Sequence, residues 1–344
     1  KVGGLTAKRP IVQGGMGVGV SLSSLAGNVA KCGGVGTISG VHPGYREADF
    51  KENPFRANLR AIGNELEKAK EIASGGIIGF NFMTVMNHYE EYVKEAIAAG
   101  ADFIVSGAGL PVNLAKYAAG TRAAILPIVS SARALKLIVK QWQRADRLPD
   151  AVVVEGPLAG GHLGYPYGHL VDGTFDTLED SLVDVVDYVR ELEEKSGVKI
   201  PVVAGGGVRN HADMERLMAL GASGVQVGTK FVATEECDAA PAFKQAYLRS
   251  REEDVQLIES PVGLAARAIR NSFLEKVEKQ GRIPVQRCYQ CMNHCKQAET
   301  KYCISQALID AVQGREGLVF CGANAYEIEK LSTVEKVMQE LCGE

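Results

Sequence analysis

Eight short apolar runs alternate with seven helical patterns before residue 231, and an eighth helical pattern follows Ala239. The runs fall at residues 10–17, 35–38, 77–82, 101–105, 124–129, 151–155, 200–204 and 225–227, the first closing in a glycine-rich turn. Strand and helix in strict alternation imply parallel strands joined by right-handed crossovers, so every strand's carboxyl end lies on one face. An open doubly wound sheet uses the same alternation, but eight units is the number that closes on itself. The expected fold is therefore α/β, a (β/α)8 TIM barrel. The 344 residues leave room for that barrel over 1–250 and for a C-terminal cysteine-rich extension over 251–344 that packs on it. Ser21 is the expected N-cap of the first helix.

The last two units carry the sharpest local signal. In IPVVAGGGVRNHADMERLMALGASGVQVGTKF, residues 200–231, an apolar run breaks into Gly205, Gly206 and Gly207. A helical pattern follows, with Met214, Leu217, Met218 and Leu220 near helical spacing, and a second apolar run ends at Gly228-Thr229. Two glycine turns after adjacent strands let backbone N–H groups approach an anion, and phosphate sites in such barrels lie after strands seven and eight. The structural alternative is that the glycines serve tight turn geometry alone.

The other strand ends supply Gln13 to Met16, Asn81, Ser106 to Gly109, Ser130 and the stretch from Glu155 to His162. Most are small, which leaves room for a flat ligand across the mouth. His162, between Gly161 and Gly164, is the imidazole placed for proton transfer near neutral pH; its alternative is a hydrogen-bonded loop histidine. His42, His88, His169 and His211 read as surface or capping residues. Glu155 reads as a buried acceptor that orients backbone N–H groups, in preference to a catalytic base. A net charge of −3 offers no basic surface for nucleic acid or an anionic membrane, and no apolar run reaches transmembrane length. Lys1-Val2-Gly3-Gly4 lacks the features of a signal peptide, and the expected location is the cytoplasm.

PIVQGGMG at 10–17, GFNFM at 79–83, SGAGLP at 106–111, EGPLAGGHLG at 155–164, PVVAGGGV at 201–208 and GVQVGTKF at 224–231 together resemble the nitronate monooxygenase family. That family, formerly the 2-nitropropane dioxygenases, includes the flavin-dependent type II enoyl-acyl-carrier-protein reductases. The resemblance covers about residues 5–275, including SPVGLAARAIRNSF at 260–273. It implies an FMN-binding barrel with the phosphate on Gly206, Gly207, Gly228 and Thr229, and with Gly205 in the same turn. Gln13, Gly14, Gly15, Met16 and Gly17 would line the isoalloxazine, Asn81 would add a polar contact, and Glu155 and Gly161 would stand at the same cofactor. His162 matches the histidine of the GGH motif, an acid/base or substrate-orienting group for nitronates and a neighbour of flavin and thioester in the reductases. The implied substrate is a small nitronate or an enoyl thioester, with NAD(P)H or ferredoxin as an electron donor. A non-redox phosphate-binding barrel enzyme is the reading from another class.

Cys288, Cys291, Cys295 and Cys303 follow in the spacing C-x2-C-x3-C-x7-C, a tail that the better-known short members of that family lack. Thiolates at this density suit a [4Fe–4S] cluster or zinc, and a redox flavin would give a cluster something to exchange electrons with. His294 is an alternative zinc ligand and Cys321 an alternative fourth ligand. Disulfides do not fit the expected reducing compartment. The extension has room to pack on its own barrel or on a neighbouring chain, so an oligomer is an open expectation.

Overall fold

Eight parallel strands close into a barrel because each is apolar on both faces and has a helix to cover its outer side. The structure, a computed structural model, describes residues 3–293 and 295–344. Lys1, Val2 and His294 lie outside the described residues, and with them the readings of Lys1-Val2 and of His294 as a zinc ligand. The strands are β1 (Ile11–Gln13), β2 (Val35–Ser39), β3 (Ile77–Met83), β4 (Phe103–Gly107), β5 (Ala124–Val129), β6 (Val152–Glu155), β7 (Gly161–Leu163), β8 (Val202–Gly205), β9 (Gly224–Val227), β10 (Val255–Glu259) and β11 (Ala265–Ile269). The barrel runs β1-β2-β3-β4-β5-β6-β8-β9 and closes by parallel pairing of β1 with β9, Val12 opposite Gln226.

Alternation along the strands separates two cores. Val153 of β6 faces inward with Phe103, Val105, Leu126 and Val203, while Val152 and Val154 on the same strand pack outward beneath the helices. The Leu178–Ser196 helix opens on a capping box between Thr177 and Asp180 and buries Leu182, Val185 and Val189 in that outer layer.

Three local expectations are corrected. The fourth strand starts two residues later than its apolar run, because the Ala101 N–H still bonds Ala96 O at the end of the preceding helix. Ser21 is no N-cap: its Oγ accepts from Met16 N–H at 2.8 Å and it is buried. The Ser23–Lys31 helix is instead capped by Asp238, whose carboxylate accepts from Leu22, Ser24 and Leu25 N–H at 2.8, 3.2 and 3.0 Å. The stretch around His162 is not all loop, because β7 joins β10 and β11 in a three-stranded antiparallel sheet outside the barrel, ordered β10-β11-β7.

The Val334–Cys342 helix packs on the Ser23–Lys31 and His211–Ala219 helices. Cysteine-tail backbone lies against the loop after β3, where Asn87 N–H bonds Cys291 O at 3.2 Å and Asn87 Nδ2 donates to Gln290 O at 2.7 Å. Among the described residues, no helix is long and apolar enough to cross a membrane.

Candidate active site at the barrel mouth

The carboxyl ends of the strands open into one cavity of about 1410 Å³. Gly14, Gly15, Met16, Gly17 and Asn81 line one side of it. Gly205, Gly206, Gly207, Gly228 and Thr229 also line it, as do Glu155, Gly161 and His162. Gln13 does not line it. Its side chain is fully buried, with Oε1 accepting from Thr37 N–H at 3.0 Å and Nε2 donating to Gly14 O, so it ties β1 to β2. A ligand contact for Gln13 is thereby replaced by a structural one.

Close approach explains two of the glycines. A Cβ on Gly15 would stand 2.4 Å from Asn81 Cβ. Gly206, at φ +106°, is in a conformation that L side chains rarely adopt, and a Cβ there would meet Gly156 O at 3.0 Å and Ala159 N at 3.1 Å. The turn after β9 is tied to the chain's C-terminal part, since Gly322 N–H donates to Thr229 Oγ1 at 3.1 Å.

His162 is held from two directions. Its Nε2 stands 2.7 Å from Ser260 Oγ, and its ring packs edge-on to Phe320 with centroids 4.9 Å apart. Burial without a carboxylate partner pushes its pKa down to about 4, so the ring is neutral at physiological pH. Ser260 and Phe320 were not singled out from the sequence. Ser260 opens the SPVGLAARAIRNSF segment, but nothing local shows that it meets a histidine 98 positions away.

Glu155 ends β6 at the cavity wall and accepts from Gly164 N–H, while Tyr165 Oη donates to the Glu155 carbonyl at 3.0 Å. Burial pushes its carboxyl up to about 7, with the Gly164 N–H opposing that shift. Between the unfolded value of 4.5 and about 7 the native chain keeps a proton that the unfolded chain has lost. The linked stability is therefore present at low pH and lost as pH rises through the folded value. Glu155→Gln is expected to gain on the parent by on the order of 2 kcal/mol when denaturation at about pH 8.5 is compared with about pH 5. An unchanged difference between the two chains at both pH values would show that ionisation of Glu155 meets no resistance.

His42, expected at the surface or as a cap, is instead buried. Its Nε2 lies 2.8 Å from Ser305 Oγ and its Nδ1 3.2 Å from Asn58 Nδ2, and burial pushes it down to about 4. It belongs to the seam between the barrel and the cysteine tail, because Ser305 also hydrogen-bonds Cys291. His88 and His211 are part-exposed at helix starts.

The tail cysteines are neighbours. Burial, opposed by the Ser305 hydrogen bond and helped by the charges of the other three, pushes the Cys291 thiol up to about 11; burial and then Cys288 raise Cys295. Cys303 is raised by burial and by Cys288 and Cys295, against backbone N–H bonds from Gln306 and Ser305 at the start of the Ile304–Val312 helix. Gln290 N–H points at Cys288 Sγ, 3.4 Å away. The four-thiolate site expected from the spacing is nonetheless not closed: among the described residues no three His, Cys, Asp or Glu side chains are placed to hold a metal ion. Cys321 stands elsewhere, buried beside Arg267 and Tyr247, which removes it as a fourth ligand.

Comparison with known proteins agrees with this geometry. The nitronate monooxygenase family profile matches residues 2–344. A probable nitronate monooxygenase of Staphylococcus saprophyticus is 26% identical over 298 residues, 80% of this chain and 79% of that protein. FabK from Thermotoga maritima superposes with a TM-score of 0.73 at 23% identity, over 98% of this chain and 92% of that one. A nitroalkane oxidase from Streptomyces ansochromogenes superposes with a TM-score of 0.69 at 19% identity, over 98% and 96% of the two chains. At those identities the two superpositions show the barrel fold. The profile spans nearly the whole chain, and the protein therefore belongs to the nitronate monooxygenase family and is an oxidoreductase.

Proposed function

We propose that the cavity binds FMN and that the enzyme oxidises a small alkyl nitronate over it. One observation carries the reading: the two glycine turns, the Gly14–Gly17 segment and His162 all line the same cavity. The fit is steric as well as chemical. A Cβ on Gly206 would stand 3.0 Å from Gly156 O and 3.1 Å from Ala159 N, so the turn that would receive the phosphate has no room for a side chain. A volume of about 1410 Å³ exceeds the usual range for a single small ligand, which suits a flat cofactor with substrate stacked on it.

Bound FMN would supply a ring that takes up electrons from the substrate. The chain's own residues do the rest. Gly206, Gly207, Gly228 and Thr229 would hold the phosphate, and Asn81 and Gly15 bound the space for the ring. Neutral His162 donates or accepts a hydrogen bond at the substrate. Leu163, beside it, is buried under Leu170 and Ala265 and keeps that wall dry.

The length of the cavity favours a second reading. It reaches Cys295, Lys296 and Lys301 on the tail, far enough to admit the chain of an enoyl thioester. We read the tail itself as a metal site, a [4Fe–4S] cluster in preference to zinc, supported by the spacing and by N–H donors to Cys288 and Cys303. Closing it requires the side chains to turn toward one another. Eight free thiols suit a reducing compartment such as the cytoplasm.

The test is anaerobic purification followed by flavin absorbance, iron and zinc analysis, and turnover. Nitronate is assayed alone, and an enoyl thioester with NADH, NADPH or reduced ferredoxin. Stoichiometric FMN and nitronate turnover are expected. A protein that takes up no flavin on reconstitution would sink the reading, and thioester turnover without nitronate turnover would select the second one.

A further inference from the structure

Beside the cavity, one hydroxyl has a single place to put its proton. Ser260, in the turn between β10 and β11, is 5% exposed. Its backbone is fixed by Ser260 N–H to Leu264 O and Gly263 N–H to Ser260 O, both at 2.9 Å. Its Oγ is approached by Val262 N–H at 3.4 Å and by His162 Nε2 at 2.7 Å. An amide N–H only donates. The hydroxyl proton therefore has one acceptor in reach among the described residues, the Nε2 lone pair. If Nε2 carried a proton instead, the serine proton would have no protein acceptor among the described residues and would have to turn into the cavity that Ser260 also lines.

We infer that Ser260 is a positioning residue that locks His162 in the tautomer with its proton on Nδ1. Among the described residues Nδ1 has no protein partner, and it is not among the buried atoms left unsatisfied, so it opens on the cavity that His162 lines. The imidazole then presents an N–H to the substrate and keeps its lone pair turned away. A site built this way binds a substrate that arrives with an acceptor oxygen, such as the anionic oxygen of a nitronate. The imidazole so held offers no base for removing a carbon-bound proton from a neutral nitroalkane. The β7–β11 pairing, His162 opposite Ala266, fixes the histidine backbone, and the Phe320 ring packs edge-on against the imidazole.

The tautomer stands on the hydrogen bonds alone, and its catalytic consequence rests on the nitronate reading above. Nitrogen NMR of the 15N-histidine-labelled holoprotein separates the two, with the His162 signals identified by their loss in His162→Gln. The wild type is expected to show a protonated Nδ1 and a bare Nε2. Ser260→Ala is expected to shift His162 toward the Nε2–H form and to lower kcat/KM for a nitronate about 10- to 100-fold, mainly through KM. Ser260→Thr, which keeps the hydroxyl, is expected to restore both. A protonated Nε2 in the wild-type spectrum would overturn the inference without any variant, as would an unchanged tautomer in Ser260→Ala. If the spectra come out as expected while no nitronate is turned over, the failure belongs to the substrate reading and not to the tautomer.

Discussion

His162→Ala is expected to lower kcat/KM for a nitronate by about 10²- to 10³-fold while leaving the flavin in place. Removing one hydrogen-bond donor aimed at a developing or resident charge in a water-poor site has that size of effect. Flavin retention follows from location, because the glycine turns that would hold the phosphate belong to β8 and β9 while His162 belongs to β7. The loss should come with a pH signature. With the imidazole pushed down to about 4, the parent enzyme holds His162 neutral through the physiological range, and its rate should fall only as pH drops toward that value. A parent profile with a limb near the ordinary histidine pKa, abolished in His162→Ala, would show that the ring titrates unburied and would remove the neutral-donor role.

Gly206→Val is expected to abolish flavin binding or to prevent folding. The backbone conformation at φ +106° costs any L residue about 1–3 kcal/mol. Strain is the smaller part, because the added carbon also faces the backbone atoms Gly156 O and Ala159 N, which cannot rotate away. The segment that would have to move is the one leading from Glu155 to His162, so cradle and catalytic wall would shift together. Gly281→Ala supplies the control: its φ is +70°, yet an added Cβ there meets nothing within 4 Å. Measured by flavin content after gel filtration and by Tm, the control should lose a little stability and no flavin. Equal flavin content in both variants would show that the turn at Gly206 is not the cradle.

Much of the barrel was legible because its signals are local. The apolar runs reproduce the eight barrel strands, with β4 displaced by two residues where Ala101 still serves a helix end. The glycine turns after β8 and β9 could be read because a strand that ends in glycine before a helical pattern announces its own geometry. What the sequence hid depends on partners far along the chain. Asp238 caps a helix 216 residues earlier, which left Ser21 as the nearer and mistaken choice. Strand β7 is three residues long and exists as a strand because β11 pairs with it, so His162 looked like a loop residue. His42 looked like a surface residue until the tail brought Ser305 to its ring.

By itself, the sequence determined the barrel, the face on which its chemistry lies and the residues that ring that face, because hydrophobic period and glycine placement act over neighbouring residues. Only the tertiary structure decided what those residues can do. It turned Gln13 away from the cavity, set Ser260 against His162, lifted Glu155 toward neutrality by burial, and separated Cys321 from the other tail cysteines. Protonation, tautomer and ligand access depend on desolvation and on contacts between residues tens to hundreds of positions apart, which appear only when the chain has closed on itself.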